Sequence, residues 1–282
     1  MVSRLRLGTT SYIYPDDIIA NARKLAGRIS DIELVIFQVD HYGNNLPDLE
    51  TVEELCRLGA EHGMTYTVHL PLDLGLAGET PNLEKALQVI RSTSGLTPHG
   101  YIVHLDEHTS PGSYDLKRWV VNSLASLNIL IRETGAPHLI CVENLENQHP
   151  DMIDSLLELL PVSSCPDVGH LWKQGLDPLP FLERWLPRSR VVHIHGIGKR
   201  DHQSLSRVTN EKLDPVVRLL SRSFRGVVTI EVFSETDLGD SLVAFGDSLK
   251  RMNGAEEETR TPTGLRPPDP EPGASTTSAT SA

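Results

Sequence analysis

The chain is short of cysteine, of positive charge and of long apolar runs. Cys56, Cys141 and Cys165 are the only cysteines in 282 residues, and no two are spaced as CxxC. Neither a disulfide framework nor a thiolate zinc site is therefore expected, and all three read as buried free thiols. No stretch approaches the ~20 apolar residues of a membrane-spanning helix. The opening MVSRLRLGTTSYIYPDD has no apolar signal-peptide core, so the expected location is cytoplasmic, with no membrane partner. Lys and Arg number 26 against 38 Asp and Glu, a net charge of −12. Nucleic-acid binding depends on Lys and Arg neutralising phosphates, so nucleic acid is not expected as a partner. The oligomeric state has no signature in the sequence.

What is present is strand-like and periodic. Eight short runs rich in β-branched or apolar residues recur along the chain: RLRLGT, DIELVIF, TYTVHL, GYIVHL, HLICVE, PVSSCP, RVVHIH and GVVTIE. The sixth is the weakest, because Pro166 interrupts it. Helical segments lie between most of them. DLETVEELCRLGAEHG sets Leu49, Val52, Leu55, Cys56 and Ala60 on one face and stops at Gly63. DLKRWVVNSLASLNILIRETG carries Trp119, Val120, Leu124, Leu127 and Ile131 and stops at Gly135. Strand and helix alternating eight times predict an α/β fold, a (β/α)8 TIM barrel, as a single domain over residues 1–253. Residues 254–282 are rich in Pro, Ser, Thr and Glu and predict a disordered tail.

Nearly every one of these runs ends on a His, Asp or Glu. Buried polar groups are costly unless paired or bound to metal. Strand C-terminal ends converge at one mouth of a barrel. His69, His104, Glu143, Asp167, His195 and Glu231 are expected there, with His170 in the loop after the sixth strand and Asp201 and His202 in the loop after the seventh. His193 and His195 share one strand and are expected to face opposite ways, with His195, nearer the C-terminal end, as the ligand. Imidazole plus carboxylate suits a divalent metal, with zinc expected and manganese or iron(II) as alternatives, in one to three ions. Glu143 and Glu231 are the candidate catalytic carboxylates. Tyr12 in the TTSYIY stretch, with Lys199 and Arg200 after the seventh strand, are the candidate substrate-binding residues.

The order His, His, Glu, Asp-x-x-His, His, Asp-His, Glu resembles the xylose-isomerase-like barrel superfamily, which includes endonuclease IV and sugar-phosphate isomerases and epimerases. That resemblance spans about residues 1–252. It implies a single-metal core of Glu143, Asp167, His195 and Glu231, as in the epimerases. It also implies a wider set like that of endonuclease IV, with His69 and His104 joined to Glu143, and His170 joined to Asp201 and His202. The endonuclease pattern is Asp-x-His, whereas Asp201 and His202 are adjacent, so both can ligate only from an irregular loop. The segments GTTSYIYPDDI, DIELVIF, YTVHLPLD, CVENLE, PDVGHL, HIHG, RDHQSL and IEVFSE together resemble the cobamide-remodelling phosphodiesterases of that superfamily. This implies a corrinoid substrate, cleaved at the phosphoribosyl bond of its nucleotide loop. A sugar-phosphate isomerase or epimerase, an apurinic-site endonuclease and a non-enzymatic corrinoid-binding barrel are the rival expectations.

Overall fold

The computed structural model describes residues 5–39, 43–107, 115–198, 200 and 202–260. Eight parallel strands form the wall of a barrel: β1 Arg6–Thr10, β2 Asp31–Val35, β3 Thr65–His69, β4 Tyr101–Val103, β5 Ile140–Glu143, β6 Ser163–Cys165, β7 Val191–Ile194 and β8 Val227–Ile230. They correspond one for one to the eight runs of the sequence. Each strand pairs with its sequence neighbours, and β8 returns to β1 through the register Arg6–Val227 to Thr9–Ile230. The ring closes more loosely between β6 and β7. There the joins are the bridges Ser164–Ser189 and Asp167–His193, and the amide of His193 donates to the carbonyl of Pro166 at 2.9 Å. Pro166 has no N–H to give a ladder, which is why β6 is short and the closure falls here.

Helices α1 Ile18–Leu25, α2 Leu49–His62, α3 Leu83–Thr93, α4 Leu116–Thr134, α5 Asp151–Leu159, α6 Val168–Lys173, α7 Pro178–Trp185, α8 Asn210–Ser223 and α9 Glu235–Arg260 accompany the strands. Their boundaries follow local chemistry. Asp17, Asp48, Asn82, Asp115 and Asp177 each accept a backbone N–H of the following first turn. α2 and α4 end on Gly63 and Gly135 at φ 66° and 64°, a left-handed conformation that costs glycine little. α2 buries Val52, Leu55, Leu58 and Gly59. Leu49, Cys56 and Ala60, expected on that face, are instead exposed. Cys56 is thus a surface thiol, while Cys141 and Cys165 are buried as expected. α9 crosses the expected boundary at 253, and residues 261–282 lie outside the described residues. Among the described residues no helix is long and apolar enough to cross a membrane.

The main core lies between the strands and the helices, with Trp119 of α4 and Phe245 of α9 among its largest fully buried side chains. A second, small apolar cluster of Ile102, Cys141, Cys165 and Val191 is contributed by β4, β5, β6 and β7. At the opposite end of the strands from the mouth, Arg6 donates to the hydroxyl of Thr65, which donates to the fully buried carboxyl of Asp31. Burial pushes the Asp31 carboxyl up to about 7, against the lowering effect of its bonds to Thr65 and Thr67. The apolar strands therefore close the bottom of the barrel and present most of their polar residues at the top.

Candidate metal centre

β3 ends on His69, β5 ends on Glu143, His104 directly follows β4, and Glu231 directly follows β8. Asp167 caps α6 by accepting the amide of His170 at 2.6 Å, and Asn144 clamps the Asp167 backbone with two bonds of 2.8 and 3.0 Å. The PDVGHL segment thereby aims Asp167 and His170 into the mouth together. Its glycine has a steric purpose, because a Cβ on Gly169 would stand 2.2 Å from Nε2 of His195. The His195 ring lies against the backbone of α6, and only glycine leaves room for it.

Among the described residues, four overlapping donor groups meet at this mouth; one of them, Glu33, His69 and Glu231, is made of residues that also face the other groups. Glu143, Asp167, His193 and Glu231 form the first of the other three, all buried. Nδ1 of His193 is 3.4 Å from Oε1 of Glu143, 3.8 Å from Oδ2 of Asp167 and 3.1 Å from Oε2 of Glu231. His69, His104 and Glu143 form the second, with Oε2 of Glu143 at 3.4 Å from His69 Nε2 and 2.9 Å from His104 Nε2. His170, His195 and His202 form the third, and His202 Nε2 also stands 3.4 Å from Oε2 of Glu231. Glu143 faces the first two groups with different oxygens, and Glu231 faces the first and third.

The donors fit a cation. Asp167 Oδ2, His193 Nδ1 and Glu231 Oε2 are buried without a hydrogen bond, although they converge on one point. Unsatisfied buried polar atoms are rare, and a cluster of them facing each other is what a bound ion would satisfy. The imidazoles are also oriented for it. Nδ1 of His69, His170 and His195 is 2.8, 2.9 and 3.1 Å from the carbonyls of Leu70, Asn144 and Gly196. A carbonyl can only accept, so Nδ1 carries a proton, and Nε2 is the atom directed at the mouth, where a bound ion would take its lone pair. His193 is the reverse: Nε2 lies 2.8 Å from Oε2 of Glu33, which leaves Nδ1 for the centre.

The charges are balanced inside the cluster. Burial disfavours the Glu143 anion, but His104 and His193 outweigh it and hold its carboxyl well below the usual range. Glu231 is held low in the same way, chiefly by His193 and His202, and Asp167 by His170 and His195. Burial disfavours protonated His193 and His170, yet the surrounding anions raise both, His170 to about 9. Protons here occupy the charge that a divalent cation would supply, and metal binding would release them.

His69, His104, Glu143, Asp167, His170, His195, His202 and Glu231 are therefore all brought together. One assignment is corrected. His193, not His195, completes the carboxylate-rich group, and His195 belongs with His170 and His202. Residues two apart on a strand share a face, so both histidines point inward, and the deeper one meets the three carboxylates. His202 has a positive φ of 51°, so the loop is irregular at this position. Asp201 and Lys199 lie outside the described residues. Arg200 is exposed, and neither it nor Tyr12 is among the described residues that line the cleft. Tyr12 stands on the rim instead, edge-on to Phe37 with ring centres 5.8 Å apart. Glu33 and Glu146 went unnoticed in the sequence. Glu33 has a visible signal, a charge alternating with apolar residues in DIELVIF. Glu146 has none: it lies in the loop after β5, with Oε2 3.1 Å from Nε2 of His170.

The cleft above the donors has a volume of about 350 Å³ and is lined by His69, His104, Glu143, His170, His202 and Glu231 together with apolar Val35, Leu72, Leu145 and Phe233. No known family model matches the sequence, and no curated protein matches it. Solved structures do match the fold. A D-tagatose 3-epimerase-like protein aligns at TM-score 0.71 and 19% identity, over 89% of this chain and 100% of that one. Endonuclease IV from Thermus thermophilus aligns at TM-score 0.65 and 18% identity, over 87% of this chain and 99% of that one. An L-ribulose 3-epimerase aligns at TM-score 0.66 and 14% identity, over 93% and 100%. The chain has the α/β TIM-barrel fold of these proteins, with a buried His, Asp and Glu cluster at its mouth that can hold divalent metal.

Proposed function

We propose that the protein is a metal-dependent phosphodiesterase that hydrolyses the phosphoribosyl bond in the nucleotide loop of a corrinoid such as cobalamin. The products are cobinamide phosphate and the ribazole. The observation that carries the hydrolytic part is the surplus of donors. The four-residue group suffices for one ion, yet two further imidazole sets adjoin it through Glu143 and Glu231. The corrinoid part rests on the resemblance of the eight segments quoted above.

Divalent ions bound there would supply Lewis acidity to the phosphate oxygens and ease deprotonation of the attacking water. The protein's own groups divide the remaining work. No Lys or Arg is among the described residues lining the cleft, so its imidazoles, together with the divalent ions that the donor groups would hold, would have to offset a phosphate's charge. Glu143 and Glu231 are the carboxylates placed to orient a water and take its proton. Water's oxygen joins phosphorus, the phosphorus–oxygen bond to the ribose breaks, and the ribose oxygen leaves protonated. Burial of Glu143, Asp167 and Glu231 strengthens each of these charge interactions.

The deciding experiment is a mass-spectrometric endpoint assay with adenosylcobalamin, anaerobically, using metal-replete protein and an EDTA-treated control. Metal-dependent appearance of cobinamide phosphate and ribazole is expected, and Glu143→Gln should abolish it while circular dichroism stays that of the folded barrel. Intact cobalamin would overturn the substrate assignment. The second reading, a sugar epimerase, needs only the four-residue group with Glu143 and Glu231 as acid and base. It is favoured if substitution of His104 or His170 is tolerated and a ketose is epimerised.

A further inference from the structure

The mouth of the barrel is divided. The strands β4 to β7 carry His104, Glu143, Asp167, His170 and His195 at their ends. The four adjacent strands β8, β1, β2 and β3 bring Glu231 and His69 to the mouth, and the loops after them also raise large apolar side chains: Phe233, Tyr12, Phe37 and Leu72. Phe233 is 45% exposed, Tyr12 37% and Leu72 58%. These are three of the few large apolar residues left in water by an otherwise well-buried barrel. Leu72 and Phe233 line the donor cleft together, and exposed apolar groups at the edge of a polar cleft mark a surface that a ligand covers.

Phe233 is the aromatic member that reaches the cleft, beside Glu231 and with its ring centre 5.3 Å from that of His202. Its backbone is held fast. The Thr10 hydroxyl donates to the carbonyl of Val232 at 2.7 Å, and Ser234 donates to Asp237, whose other oxygen accepts the amide of Ser204 at 3.1 Å. A fixed loop thus holds a half-exposed aromatic ring at the edge of the donor cluster. Such a ring serves a flat apolar partner, since stacking on it requires no reorganisation of the protein.

We infer that Phe233 is a specificity-determining residue: it stacks against the aromatic base of the substrate's nucleotide, and it holds that base on the apolar half of the rim while the phosphate lies over the donors. This rests on the phosphodiesterase reading for the substrate, but not for the stacking itself. The base enters the cleft, and the remainder of the molecule lies outside, because about 350 Å³ accommodates a nucleoside and not a macrocycle.

The test uses the full, metal-loaded chain and the variants Phe233→Ala and Phe233→Tyr. Isothermal titration with the riboside of dimethylbenzimidazole, with adenosine and with ribose 5-phosphate reads base binding without catalysis. Loss of the ring is expected to weaken both ribosides about tenfold, the scale of one base–aromatic stack, and to leave ribose 5-phosphate within about twofold. Phe233→Tyr should restore them. In cobalamin cleavage, Phe233→Ala should raise KM about tenfold with a smaller effect on kcat. Bound metal, measured by mass spectrometry, should match wild type in both variants, which separates loss of stacking from displacement of His202. Riboside binding within about twofold of wild type in Phe233→Ala, or an equal loss for ribose 5-phosphate, would overturn the inference. If wild type leaves adenosylcobalamin intact, the phosphodiesterase reading fails by itself, and the riboside titrations still decide the role of Phe233.

Discussion

Glu33 is the residue whose replacement tests the centre most directly. Its Oε2 is 2.8 Å from Nε2 of His193, and neither side chain is exposed to solvent. A carboxylate accepting from a ligating imidazole fixes the ring's tautomer and raises its basicity. A hydrogen bond to a charged group contributes about 1.5–3 kcal/mol, and one to a neutral amide about 0.5–1.5. Glu33→Gln keeps shape and acceptor but not charge, so it should cost about 1–2 kcal/mol at the metal, or about 5- to 30-fold in affinity. Titration with zinc(II) against a competing chelator measures this. A melt in excess zinc should approach that of wild type, which shows that the barrel still folds. Zinc affinity within about twofold of wild type would refute the assignment of His193 Nδ1 as a ligand held by Glu33.

His193→Gln should remove the ion held by the carboxylate-rich group and cut turnover at least about 100-fold, while His195→Gln should retain that ion. Metal stoichiometry by mass spectrometry distinguishes them, and the reverse ranking would return His195 to the core. Gly169→Ala replaces no donor but drives a methyl group into the His195 ring, so, like His195→Gln, it should weaken metal binding by the His170, His195 and His202 group and spare the ion of the carboxylate-rich group. His99, bonded to the carbonyl of Arg190 at 3.0 Å, is lowered to about 4 by burial and by the charge of Arg190. Its folded pKa lies below the unfolded ~6.5, so the unfolded chain binds the extra proton. Stability is therefore full above about pH 6.5 and falls as pH drops toward 4. Allowing for partial exposure, the loss is about 1–2 kcal/mol. His99→Gln should shrink the difference between urea midpoints at pH 7 and pH 5, and an undiminished difference would refute this.

Much of the fold was legible because its signals are local. Val, Ile and Leu runs at regular intervals, Asp and Asn caps and terminal glycines need only a few neighbouring residues to be recognised, and all eight strands are where those signals lie. The helix faces were less legible. Leu49 and Cys56 fit an apolar stripe in spacing, but α2 is rotated so that Leu58 and Gly59 are buried with Val52 and Leu55, because the neighbouring elements choose the face.

The donors divide in the same way. Strand ends alone determined that His69, His104, Glu143, Asp167 and Glu231 would converge, since a closed parallel barrel brings all its C-terminal ends to one mouth. Only the tertiary structure decided how they are grouped. The depth of a side chain in a barrel depends on strand stagger, which no single strand contains. His193 therefore lies among three carboxylates while His195, two residues on, meets His170 and His202. The same holds for Glu33 and His193, which are 160 residues apart and meet across the barrel interior. Phe233 follows the rule too: as a sequence letter it is one more aromatic residue, and it becomes part of a half-rim only because β8, β1, β2 and β3 are neighbours in the closed sheet.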